Sequence, residues 1–276
     1  MRKIFIFSVI CATACVSASA AKDPVVPLTV TVHAVSWDSS WKPRTEQEWS
    51  ARVVSAVAAA VKKGADIIVF PEQFSGGRSL EGILSEVGDA AGKGRLVVLG
   101  NAPHHESGWN YNVSRAYILS GGAWQVMDKL DPTPAERAQK PPVKPGVRLP
   151  LFRFRGAVVA ALPGYSIEKP EIAVSLKKRG VQLILISSRG EDEQDAARIE
   201  RCAAARAVEL GAAVVVVPTS PALPTLHLPV QRGFDLKPSQ PAGREFALPW
   251  RKLLDLRSGS GSGPFLEPTP YYQVEI

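Results

Sequence analysis

Cysteine is nearly missing from this chain: among 276 residues only Cys11, Cys15 and Cys202 carry a thiol. The first two fall in a stretch that reads as a removable leader, so the remaining chain keeps Cys202 alone. That excludes an intramolecular disulfide and any metal site built on several thiolates. Nucleic-acid binding finds no support either, because a formal charge of +7 is spread without the clustered Lys and Arg and interleaved aromatics such binding needs. Long apolar runs are also absent, and none reaches the ~20 residues of a bilayer span. No nucleic-acid partner is expected and, once the leader is removed, no stable membrane span.

The leader itself is "MRKIFIFSVICATACVSASA". Arg2 and Lys3 precede an apolar stretch, and Ala18 and Ala20 form an A-x-A site, the arrangement of a secretory signal peptide over residues 1–20. Cleavage after Ala20 gives a secreted or periplasmic protein and lowers the charge from +7 to about +5. A second reading makes "ATAC", ending at Cys15, a lipoprotein site, although alanine stands where a bulky aliphatic residue belongs.

What is present is a core: 45% of the residues are hydrophobic, enough for one full-sized α/β domain. "VPLTVTVHAV" (residues 26–35) alternates as a strand, "EWSARVVSAVAAAVKKG" carries apolar residues at helical spacing, and "ADIIVFPE" is a continuous apolar run that fits a strand buried on both faces. Strands and helices go on alternating: a helix over Leu80–Ala91, the strand "RLVVLGNA", a loop "PHHESGWNY", "SRAYILS", a turn at Gly121 and Gly122, "WQVMDKL", a Pro-rich loop, "LFRFRG" and "AVVAALPG". The helix "PEIAVSLKKRG", the strand "VQLILISS", the helix "DAARIERCAAARAVELG" and the strand "AAVVVVPTS" follow, implying helices layered on a buried sheet. Beyond Pro221 prolines are frequent and "RSGSGSGP" is low-complexity, so residues 26–235 are expected to form the domain and 236–276 an extension.

Three charges stand where strands end: Glu72 after "IIVFP", Lys129 after "WQVMD", and Glu136 in the next loop. Strand ends are where α/β sheets bind ligands. Around them the sequence resembles the carbon–nitrogen hydrolase (nitrilase) superfamily, whose members cleave nitriles, amides or carbamoyl groups through a Glu-Lys-Cys triad. "GADIIVFPEQ" is similar to the first motif and matches Glu72 to the general base. "VVLGNAPHHESGWNYNVSRAYILSGGAWQVMDKLDPTPAER" resembles the middle section, matching Lys129 to the catalytic lysine and Glu136 to the auxiliary glutamate. "ALPGYSIEKPEIAVSLKKRGVQLILISS" resembles the third motif. The resemblance runs over about Leu28–Ser220 and implies a four-layer α-β-β-α sandwich, a small amide, nitrile or carboxylate ligand, and pairing into a homodimer; no cofactor and no metal is expected.

The third motif departs from the family. Counting back from Pro170 and Glu171, the nucleophile's position holds Gly164, and Ser166 stands where the family has an acid. Glycine has no atom for covalent catalysis, and loss of a nucleophile removes about 10⁶ of turnover in a well-studied hydrolase. The implied protein is a pseudoenzyme retained for binding or scaffolding. The alternative is an amide hydrolase in which Glu72 activates water directly. Cys202, on an apolar helix face, reads as a core residue. Ser166 lacks an adjacent base, Tyr165 is a poor nucleophile, and His104 and His105 read as solvated loop residues with no third metal ligand. "NVS" at Asn112 is a formal glycosylation sequon that the resemblance assigns to a position near the core, and "GYS" lacks the serine-hydrolase elbow.

Overall fold

β-Branched runs set the frame. The computed structural model describes residues 29–38, 40–189, 192–219, 222–229, 245–255 and 272–275, so the leader and the Gly/Ser stretch 257–264 lie outside the described residues. β1 (Val30–Ala34) leads to α1 (Glu46–Lys62), on which buried Trp49, Val53, Val57 and Ala60 recur every three or four residues and share one face. Thr45 starts this helix, its hydroxyl accepting the Glu48 N–H at 3.0 Å. β2 (Ile67–Val69), α2 (Leu84–Ala91) and β3 (Leu96–His104) follow, then β4 (Val113–Ser120), β5 (Ala123–Asp128) and the single turn α3 (Pro134–Arg137).

The second half repeats the alternation with β6 (Arg148–Phe154), β7 (Ala157–Pro163), α4 (Pro170–Lys178), β8 (Leu183–Ser187), α5 (Glu193–Leu210) and β9 (Ala213–Val217). β10 (Thr225–His227), β11 (Glu245–Leu248), α6 (Trp250–Asp255) and β12 (Tyr272–Glu275) complete the described chain. Two six-stranded sheets result, ordered β11-β1-β2-β3-β4-β5 and β10-β9-β8-β7-β6-β12. Residues set apart in sequence as an extension thus supply an edge strand to each sheet, β11 antiparallel to β1 and β12 antiparallel to β6.

Alternation along β3 explains the layering. Leu96 and Val98 join Ile67, Val69 and the residues of the second sheet in one core, whereas Val97 and Leu99 pack with Trp49, Val53 and Val57 of α1 in another. The second sheet is covered in turn by Ile172 and Leu176 of α4 and by Ile199, Ala203 and Ala207 of α5. The order of layers is helix, sheet, sheet, helix, the α-β-β-α sandwich expected from the sequence. Among the described residues no helix is long and apolar enough to cross a membrane.

Two local expectations need correction. The helix expected from Leu80 opens as a 3₁₀ turn at Glu81–Ile83, and α-helical geometry begins only at Leu84. β3 runs on through Pro103 and His104, because a bulge between Leu99 and Ala102 lets the strand resume pairing with β4 where sequence suggested a loop. His104 is therefore not a solvated loop residue: its ring is 12% exposed and lies 3.3 Å from a Glu106 carboxylate oxygen.

Candidate active site

β1, β2 and β3 are mutually parallel, and two antiparallel steps bring β5 back into the same direction. The chain therefore leaves β2 and β5 at one edge of the first sheet, delivering Glu72 and Lys129 together. In the second sheet β7, β8 and β9 are parallel, and Gly164 and Ser188 follow the ends of β7 and β8. Glu72 and the second sheet are tied directly, since the Glu72 N–H donates to the Ser188 carbonyl at 3.3 Å.

Lys129 Nζ donates to Glu72 Oε1 at 2.8 Å and to Glu136 Oε1 at 3.1 Å. All three side chains are nearly sealed from solvent, with residue exposures of 2% for Lys129, 4% for Glu72 and 6% for Glu136. Three charges at that depth persist only as a mutually satisfied set. Glu136 is held from two sides, for it also closes the capping box of α3, its Oε2 accepting the Thr133 N–H at 2.6 Å while Thr133 Oγ1 accepts the Glu136 N–H at 3.2 Å. An ammonium has three donors, so two carboxylates leave one for a ligand.

The protonation order follows from the surroundings. Burial pushes the Glu72 carboxyl above its ordinary value, against the pull of Lys129. Burial also disfavours the Lys129 ammonium, but Glu72 and Glu136 outweigh it and hold the amine above its ordinary value. Lys129 is the charged member, and Glu72 is the carboxyl poised to take up a proton.

A cavity of about 340 Å³ opens over this set, bounded also by Tyr165, Ser188 and Ile199. Of the four positions singled out in sequence, Glu72, Lys129 and Glu136 meet in the cavity wall, whereas Gly164 is buried behind it, next to the lining residue Tyr165, as the first residue of a 3₁₀ turn, Gly164–Glu168. Gly164 is also crowded. A β-carbon there would lie 2.9 Å from Ser188 Oγ, 3.1 Å from Ser188 Cβ and 3.1 Å from Ile199 Cδ1. Ser166 does not reach the cavity; it is fully buried, and its hydroxyl has no partner among the described residues. Cys202 packs against the core on α5, away from the cavity lining, and burial pushes its thiol up, away from a reactive thiolate. Among the described residues no cluster of three or more His, Cys, Asp or Glu could hold a metal ion.

Sequence reasoning missed the residues that hold the set in position. Gly100, inside the β3 bulge, approaches Pro71 so closely that a β-carbon would fall 2.0 Å from the Pro71 carbonyl oxygen. Beside it the Asn101 carbonyl accepts the Gln73 N–H at 2.6 Å, and Asn101 Nδ2 donates to the Ser114 carbonyl at 2.9 Å. The same Ser114 carbonyl accepts the Lys129 N–H at 2.7 Å, so Asn101 couples the segments that carry Glu72 and Lys129. A glycine interrupting the apolar run "RLVVLGNA" was the available signal for such a close approach.

Proteins similar to this chain are found both by sequence and by fold. The sequence matches the family model described as carbon-nitrogen hydrolase over residues 31–220. No curated relative matches it. Among solved structures, a cysteine-to-alanine mutant of the Nesterenkonia AN1 amidase from the nitrilase superfamily is similar with a TM-score of 0.63 and 20% identity, covering 85% of this chain and 97% of that one. The same mutant amidase in complex with butyramide gives a TM-score of 0.62 at 21% identity, covering 85% and 97%. A further mutant of that amidase, carrying the acetamide moiety of fluoroacetamide covalently added at its active-site cysteine, gives 0.62 at 20% identity, covering 84% and 96%.

Proposed function

The chain belongs to the carbon–nitrogen hydrolase family, and on that premise we propose that it is an exported pseudoenzyme that binds a small amide or carboxylate over Glu72, Lys129 and Glu136 without forming an acyl-enzyme. The observation that carries this reading is Gly164. The residue offers no nucleophilic atom, and Ser188 Oγ and Ile199 Cδ1 stand 2.9 and 3.1 Å from where a β-carbon would sit, so a side chain there must push them aside. The charged set has kept its pairing, so the binding half of the chemistry survives while the covalent half has gone. One Lys129 proton suits a carbonyl oxygen, and the Glu72 carboxyl suits the amide N–H. That a mutant of the Nesterenkonia amidase lacking its cysteine was obtained with butyramide supports the separation of binding from attack.

The raised proton affinity of Glu72 favours one second reading. As a base, Glu72 takes a proton from water, the water oxygen attacks the amide carbon, Lys129 offsets the charge on the carbonyl oxygen, and the proton passes to the departing amine.

The test restores the missing atom and makes room for it. Parent, Gly164→Cys and Gly164→Cys/Ser188→Ala are assayed for ammonia release from butyramide, and butyramide binding to the parent is measured by calorimetry. Binding by a silent parent, with turnover gained in the double variant, is the expected result. Turnover by the parent that disappears in Glu72→Gln overturns the pseudoenzyme reading in favour of the water mechanism. Export is tested by N-terminal sequencing of the protein recovered from a secreting host, with Ala21 expected as the first residue.

A further inference from the structure

A second cavity, of about 270 Å³, lies on the other side of Gln73. Its wall is aromatic: Trp37, Trp41, Trp49 and Phe74 line it, so three of the chain's six tryptophans meet at one place. They form a connected set, with Trp37 edge-on to Phe74 at a centroid distance of 5.4 Å and edge-on to Trp41 at 5.8 Å. Arg52, outside the lining, braces two of the indoles, its guanidinium 4.0 Å from the Trp41 ring centre and 4.8 Å from that of Trp37. Core packing explains Trp49, which is 1% exposed on α1. It does not explain Trp41, which is only half-buried on a loop.

Polar groups in this wall are left over. Trp49 Nε1 and Ser75 Oγ are buried without a hydrogen-bond partner among the described residues, and both residues line the cavity. Unspent donors of this kind cost about 1–3 kcal/mol each unless something meets them. Lys42 and Arg78 line the cavity as well; Asp38 lies in the same wall, Glu46 pairs with Arg78 at 3.2 Å, and Arg52 stacks behind. Three bases (Lys42, Arg52 and Arg78) against two acids (Asp38 and Glu46) leave a slight positive excess, which argues against an ammonium ligand and for a neutral ring with an electron-rich oxygen. About 150 Å³ of apolar cavity holds one benzene, so the space admits a ring and a short linker.

Gln73 lines this cavity and the charged one. Glu72 faces the first and Phe74 the second, and residues two apart in a chain have Cα atoms at most about 7 Å apart. Between them Gln73 takes a left-handed φ of 56°, a conformation that a non-glycine residue adopts at a cost and that turns the chain at the border of the two spaces. We propose that the aromatic cavity receives the oxygen-bearing aryl group of a ligand whose carboxamide lies over Glu72 and Lys129, making the preferred ligand an aryl-substituted short-chain amide. This rests on the amide-binding reading given above.

Calorimetric titration of the parent with propionamide and with 3-(4-hydroxyphenyl)propionamide tests it. The aryl amide binds at least about tenfold more tightly, a difference of about 1.4 kcal/mol. Trp41→Ala reduces that ratio to within about twofold while propionamide affinity stays unchanged, Ser75→Ala reduces it in part, and Trp41→Phe restores most of it. Should Trp41→Ala fail to give the parent's circular dichroism, the Ser75→Ala and Trp41→Phe ratios decide. A parental ratio near one, or a ratio that no variant moves, overturns the proposal. Phenol alone, followed by tryptophan fluorescence, separates the two readings. If phenol binds and propionamide does not, the aromatic cavity stands and the amide reading falls; if neither binds, both fall.

Discussion

The Ser187 hydroxyl donates to the Phe70 carbonyl at 2.8 Å, joining the last residue of β8 in one sheet to the residue after β2 in the other. Two positions further on is Glu72, whose own N–H meets the Ser188 carbonyl, so the floor of the charged cavity is stitched across both sheets at consecutive serines. Ser187→Ala leaves a buried carbonyl without this partner and is expected to cost about 1–3 kcal/mol in urea unfolding. A change within about 0.5 kcal/mol would show that the sheets hold the cavity floor without this bond.

Removing the central cation is more severe. Lys129→Met strands Glu72 and Glu136 in a sealed site, and the expected loss is about 3–5 kcal/mol at neutral pH. Combining it with Glu72→Gln recovers part of that loss by deleting one stranded charge. Chemical unfolding of the single and double variants measures the recovery, and a purely additive double variant contradicts the coupling seen in the structure.

Acid–base linkage gives a signed expectation. The folded Glu72 carboxyl binds its proton more tightly than the unfolded one, whose ordinary value is 4.5, so the native state holds more protons and loses stability as pH rises from there. Relative to Glu72→Gln, the parent is therefore favoured near pH 4 and loses ground toward neutrality; melting both proteins across that range checks the slope. Lys129 acts at the other end. Its folded value is raised, so its contribution is intact below its ordinary 10.5 and fades as pH climbs through the higher folded value.

Gly100→Ala inserts a methyl group where the Pro71 carbonyl already stands. The backbone that carries Glu72 must move, and a loss of at least about 3 kcal/mol, at the upper end of overpacking effects, is expected together with loss of amide binding. Unfolding and calorimetry on this variant decide whether the bulge seats Glu72. Retained affinity for butyramide would mean that it does not.

Much of this molecule is legible in the chain because its strands are buried on both faces and read as unbroken apolar runs, and because Glu72 and Lys129 stand at the ends of two such runs. Gly164 was legible through its fixed spacing from Pro170 and Glu171. Ser188 was not, since its meaning depends on a glycine 24 residues away that becomes its neighbour only when β7 and β8 pair. The β3 extension stayed hidden because a bulge breaks the two-residue period on which strand reading depends. The aromatic cavity was hidden for another reason: "SWDSSWKPRTEQ" reads as a polar loop, and its two tryptophans acquire a purpose only when α1 turns Trp49 toward them.

Glu136 ties the interior to the outside of the protein. The same carboxylate that accepts from Lys129 also fastens the Thr133 N–H at the first turn of α3, where neighbouring Pro134 and Ala135 are exposed. A ligand that draws Lys129 toward itself strengthens the carboxylate's hold on that amide, and deleting the lysine leaves the cap as the sole bond of the two. The solvent exchange rate of one backbone hydrogen, on Thr133, is thus expected to change when a ligand engages Lys129.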